Sequence, residues 1–155
     1  SMSEAIQKLS VTCFIDAPRD IVWKVWTERT AQWFTPDPWK AEIIAQDLRP
    51  GGRFALRMTG PAGEDTGPLE CVVLDVVPGE RIVTTDAYRA GWEPQKPFMT
   101  TIWAFADECE GTRYTATVRH WDAEAKASHE AMGFHPGWDQ VAAQFKALCE
   151  SAARG

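Results

Sequence analysis

The segment from Trp138 to Cys149 puts Trp138, Val141, Ala142, Phe145, Leu148 and Cys149 on one helical face, with Asp139, Gln140, Gln144 and Lys146 elsewhere. A stripe that apolar needs an apolar partner. No other stretch of the chain carries a helical stripe of comparable length, so the partner is not a second long helix. It is a sheet, because most of the chain between residues 41 and 121 alternates with the period of a strand.

The alternation starts early. "KLSVTCFI" points Leu9, Val11, Cys13 and Ile15 to one side. Asp16 and Pro18 then open a helix, with Asp16 as its cap, and Ile21, Val22, Val25 and Trp26 form its stripe. A second short helix is expected over Ala31 to Phe34, stopped by "TPDP". "AEIIAQDL", "RFALRM", "LECVVLDVV", "RIVTTDAY", "FMTTIWAFA" and "TRYTATVRHW" follow as strands. The "RPGG", "PGE" and "DECEG" stretches read as tight turns, and "TGPAGEDTGP" and "RAGWEPQKP" as loops. Strands joined so closely make an antiparallel meander. The last helix is expected to begin behind Pro136 and Gly137, with His135 capping it and the sheet curving around it.

Size and charge narrow the function. A chain of 155 residues makes one domain, residues 1–155, with Ser1 ahead of Met2 reading as a tag remnant. A formal charge of −6 argues against a nucleic-acid partner, which would call for clustered Lys and Arg. No apolar run approaches the roughly 18 residues of a membrane span, and no secretory leader precedes the first strand, so a cytoplasmic home is expected. Cys13, Cys71, Cys109 and Cys149 have no paired metal spacing, and three of them sit in or beside apolar patterns, so neither a metal nor a cofactor is expected.

The order of local motifs resembles a known family. "APRDIVWKVWT", "AQWF", "DLRPGGRF", "VPGERIV", "GTRYTATVRHW" and "HEAMGFHPGW" are similar, in that order, to the START-like (SRPBCC) branch named after activators of the Hsp90 ATPase. The resemblance implies an α+β helix-grip fold: a curved antiparallel sheet of six or seven strands wrapped around a long C-terminal helix, with two short helices after the first strand. It also implies a carrier of small hydrophobic molecules, a polyketide cyclase or aromatase, or a chaperone-linked module of the stress response. A homodimer fits the same reading.

Eight tryptophans in 155 residues favour a binding wall, since Trp is large, rigid and amphipathic. The expected lining of a cavity between sheet and helix is Trp39, Phe54, Leu56, Met58, Trp103, Tyr114, His120, Phe134, Trp138 and Phe145. Strand parity places Phe54, Leu56, Met58, Tyr114 and His120 inward. His120 or Tyr114 would serve as acid or base if the chain were an enzyme, and Trp92 would mark a protein-interaction surface. No catalytic triad, phosphate-binding glycine loop or dinucleotide fingerprint is present, so the sequence names no catalytic residue.

Overall fold

A computed structural model describes residues 7–155; the reading of Ser1 as a tag remnant falls outside the described residues. β1 (Lys8–Ile15) runs into α1 (Arg19–Glu28) and one 3-10 turn over Thr30–Gln32. β2 (Lys40–Gln46), β3 (Arg53–Thr59), β4 (Leu69–Val77) and β5 (Arg81–Thr85) follow. A small hairpin, β6 (Tyr88–Arg89) and β7 (Glu93–Pro94), precedes β8 (Met99–Glu108) and β9 (Gly111–His120). α2 (Ala123–Ala131) and α3 (Phe134–Arg154) complete the chain.

The main sheet has seven antiparallel strands in the order β1-β9-β8-β5-β4-β3-β2 and curls into a half-barrel around α3, the helix-grip arrangement. Two bulges help to bend it. Ile43 pairs with Leu56 and Ala45 with Ala55, leaving Ile44 as an extra residue; Leu74 is the extra residue between Val73 and Asp75. A bulge bends its strand and increases the local twist. It also explains why both segments look apolar on two faces: Ile44 and Leu74 are displaced outward and exposed.

Along the inner face, Leu9 pairs with Val118, Val11 with Ala116 and Cys13 with Tyr114. On the next strand Trp103 pairs with Ala116 and Phe105 with Tyr114, so one apolar row crosses three strands. α3 lays Ala142, Phe145 and Cys149 into this concavity, with Trp138, Val141 and Leu148 packed at the margin. The Lys146 ammonium fixes the register by donating to the Phe14 carbonyl at 2.8 Å.

Several expectations change. Ala31 to Phe34 do not form a second α-helix; the segment is a 3-10 turn over Thr30–Gln32, followed by irregular chain. Asp16 does not cap α1. Pro18 occupies the cap position without a side-chain bond, and Asp20 Oδ1 accepts from the Ile21 N–H at 2.9 Å. Asp16 lies too far upstream, and its own N–H donates to Glu150 Oε2 at 2.8 Å.

α3 begins at Phe134 and not behind Gly137, because Pro136 then falls in the first turn, where its missing N–H costs nothing. The cap is Gly133 at φ 91°, a conformation that disfavours a side chain, and His135 instead faces Glu130 at 3.8 Å. The sequence pattern marks neither α2 nor the β6–β7 hairpin.

Candidate functional site

The interior between sheet and helices is built from aromatic rings. Trp26 projects from α1 against Trp103 of β8, centroids 5.1 Å apart, and against Phe54 of β3 at 6.2 Å. Trp33 sits between Trp26 at 5.6 Å and Phe145 of α3 at 4.6 Å. Tyr114 of β9 closes the other side of Phe145 at 4.8 Å. Phe34, only half-buried, leans on Trp33, Phe54 and Trp103 at 5.3 to 6.0 Å.

Trp33 and Phe34 are held by polar clamps on both sides of them in the chain. Gln46 Nε2 donates to Thr30 Oγ1 at 2.9 Å, and that buried hydroxyl donates to the Trp26 carbonyl at 2.6 Å. From α3, Gln144 donates to the Thr35 carbonyl and accepts from the Asp37 N–H, both at 2.9 Å. Gln140 donates to the Asp37 carbonyl at 3.0 Å.

Of the residues expected to line a cavity, Phe54, Leu56, Trp103, Tyr114 and Phe145 are buried together, with Met58 and Trp138 at the margin. Phe134 belongs to a second cluster, with Leu9 and Val118, that Trp138 also touches. His120 lies near that second cluster. Trp39 stands apart, half-buried along an open groove of about 510 Å³ lined also by Ala31, Gln32, Thr35, Asp37, Pro38, Lys40 and Ala41.

Trp26 and Trp33, absent from the expected lining, are at the centre of the ring cluster, 0 % and 1 % exposed. Trp26 was legible only as part of a helix stripe, and Trp33 only as an aromatic in a connection. Neither indole N–H has a hydrogen-bond partner among the described residues. Leaving such a donor buried without an acceptor costs about 1–3 kcal/mol.

His120 closes the other end. Its Nε2 is 2.9 Å from Nδ1 of His129 on α2, and its Nδ1 is 3.3 Å from the Gln7 carbonyl. A carbonyl only accepts, so the network assigns the His120 proton to Nδ1, leaving Nε2 to accept from His129. Phe98, Phe134 and Trp138 pack around His129 at 4.9 to 6.1 Å.

Burial pushes His129 down to about 4, with His120 adding to the shift. Burial also lowers His120, against the raising effect of the Gln7 carbonyl. The Tyr114 phenol is pushed above its ordinary value by burial, as is the Cys149 thiol, up to about 12. These groups are neutral near pH 7.

A half-barrel gripping a C-terminal helix, with an aromatic interior, defines a START-like protein. Residues 16–150 match the family model described as activator of Hsp90 ATPase homolog 1-like protein, and the chain belongs to that family. A crystal structure of a Nitrosomonas europaea protein is similar at 33 % identity and TM-score 0.87, covering 93 % of this chain and 94 % of that one. One from Mycobacterium smegmatis is 26 % identical with TM-score 0.78, covering 92 % and 90 %. The solution structure of an AHSA1-like protein from Aeromonas hydrophila shares the fold at 21 % identity and TM-score 0.67, covering 94 % and 93 %. No curated protein sequence matches the chain. Among the described residues no helix is long and apolar enough to cross a membrane.

Proposed function

We propose that this chain binds a small hydrophobic molecule between the sheet and α3, reached from the groove beside Trp39, without covalent chemistry. One observation supports the reading most: a single short segment bears aromatic rings toward both spaces. Trp33 and Phe34 pack into the interior, while Trp39 lines a groove of about 510 Å³, within the size range of small-molecule sites. In the state described the rings themselves fill the interior. The half-buried Phe34, which packs on Trp33, Phe54 and Trp103, is the ring of this interior that a ligand would displace.

Binding is favoured over acid–base catalysis by the condition of the two candidate groups. Both ring nitrogens of His120 are engaged, and burial pushes the Tyr114 phenol up, which makes it a poorer proton donor. Native mass spectrometry of gently purified protein, with titration of an apolar fluorescent probe, tests the reading. A co-purifying apolar species, or saturable probe binding quenched by Phe34→Trp, is the expected result. A protein that stays empty and ignores the probe, even as Phe34→Ala, would sink it.

A second reading draws on one feature. Trp92 is 57 % exposed, holds a left-handed φ of 65° and meets Tyr88 edge-on at 6.1 Å. Strain and exposure together suit a protein-interaction surface, including one for a chaperone. Loss of partner capture in Trp92→Ala, with stability retained, would support it; capture independent of Trp92 would remove it.

A further inference from the structure

The indoles of Trp26 and Trp33 are the described residues' buried side-chain nitrogens without a hydrogen-bond partner, and they belong to neighbouring rings 5.6 Å apart. An indole N–H donates and never accepts. Phenylalanine at either position would fill space without the penalty of a buried, unpartnered donor, so two such donors on neighbouring rings call for an acceptor.

The chemistry of that acceptor can be narrowed. The rings packed against the pair, Phe34, Phe54, Trp103 and Phe145, carry no lone pair. A water there would accept from the indoles but find no acceptor for its own protons among those rings, and a buried water ordinarily makes about three hydrogen bonds. A carboxylate would bring a full charge into surroundings that offer it only neutral donors, which is strongly unfavourable. A neutral carbonyl oxygen only accepts, has two lone pairs, and comes attached to apolar carbon. We propose that Trp26 and Trp33 are the polar recognition pair of the interior site, and that its ligand is an apolar molecule bearing a neutral carbonyl, such as a ketone, lactone or quinone.

The inference rests on the binding reading above, so its test separates the two. Wild-type protein labelled with nitrogen-15 is titrated with 2-acetylnaphthalene and with 2-ethylnaphthalene, which differ by the carbonyl. The ketone is expected to bind about tenfold more tightly, the worth of one or two net hydrogen bonds. It should also move two indole N–H resonances downfield while the hydrocarbon leaves them in place. Trp26→Phe and Trp33→Phe assign those two resonances; should either variant fail to fold, contacts to the Phe54 and Phe145 ring protons assign them in the wild type.

Equal affinities with unmoved indoles would overturn the carbonyl assignment and leave the binding reading standing. Binding of neither compound would remove both. Indole resonances in contact with a slowly exchanging water that the ketone does not displace would assign the donors to water and overturn the proposal.

Discussion

The two ends of α3 bury aromatic rings on different terms. Around Phe145 the neighbours are Trp33 and Tyr114, fully buried, and the nearby indole nitrogens of Trp26 and Trp33 have no partner among the described residues. Around Phe134 and Trp138 the rings surround two histidines whose facing nitrogens are hydrogen-bonded to one another. The first end is held mainly by ring packing, with hydrogen bonds from Gln140, Gln144 and Lys146 of α3 to neighbouring backbone, and it leaves two buried indole N–H groups unpaired among the described residues. The second is held in part by a titratable bond to α2, a helix with no buried residue of its own. Stability that comes from dispersion and burial hardly depends on pH, whereas stability from a buried neutral imidazole does.

The largest effect should come from cutting into the packed end. Phe145→Ala removes a fully buried ring in contact with two others, and a loss of about 3–5 kcal/mol is expected. Trp138→Ala removes a larger ring, stacked on Phe134 at 5.1 Å but still partly open to solvent, so it should cost about half as much. Urea denaturation of both variants decides the order. Equal losses would mean that the two ends are packed alike and that the contrast is false.

An intermediate effect is expected from acid. His129 is held neutral in the fold, at about 4 against an ordinary 6.5. A depressed imidazole value means that the unfolded chain takes up a proton first as pH falls. The stability it confers is therefore complete above about 6.5 and is lost progressively as pH drops toward 4.

The groups facing the pair are Lys126 and Glu130 on α2, the Gln7 carbonyl, and, through Glu130, His135 on α3. Discounted for the partial exposure of His129, the loss should be about 1–2 kcal/mol between pH 7.5 and 4.5. His129→Gln keeps a donor for His120 but cannot titrate. Its stability curve, measured beside the wild type, should be flatter by that amount. Parallel curves would show that the histidine pair contributes nothing to the pH dependence.

How much of this was legible follows from what repeats and what does not. Alternation gave the inward faces of β3 and β9, because Phe54, Leu56, Tyr114, Ala116 and Val118 recur at period two and all are buried. The bulges at Ile44 and Leu74 were hidden, since an inserted residue interrupts the period without marking itself. α2 was hidden for the opposite reason: "AEAKASHEA" has no apolar stripe, and its Asp122 cap, which accepts from the Ala125 N–H at 2.8 Å, is a weak signal beside a long helix.

The histidine pair depends on α2, because His120 and His129 meet only when the chain turns back after β9. Trp26 and Trp33 were visible as aromatics. Their unpartnered nitrogens were not, because the lack of an acceptor is a property of the packed surroundings.

The smallest effect would sharpen the comparison most. Asp122→Ala removes the side-chain cap of α2, a loss of about 0.5–2 kcal/mol for the helix concerned. If α2 were an integral part of the core, the whole of that loss would appear in the global unfolding midpoint. With no buried residue and its docking concentrated at His129, α2 should instead open as a local unit while the sheet and α3 stay closed. The global midpoint should then barely move. Amide exchange from Ala125 to Ala131 should accelerate about fivefold, the factor for roughly 1 kcal/mol, and the amides of α3 beyond Phe145 should not change. A fall in the global midpoint of the full amount would join α2 to the core, and the two ends of α3 would no longer differ in how they are held.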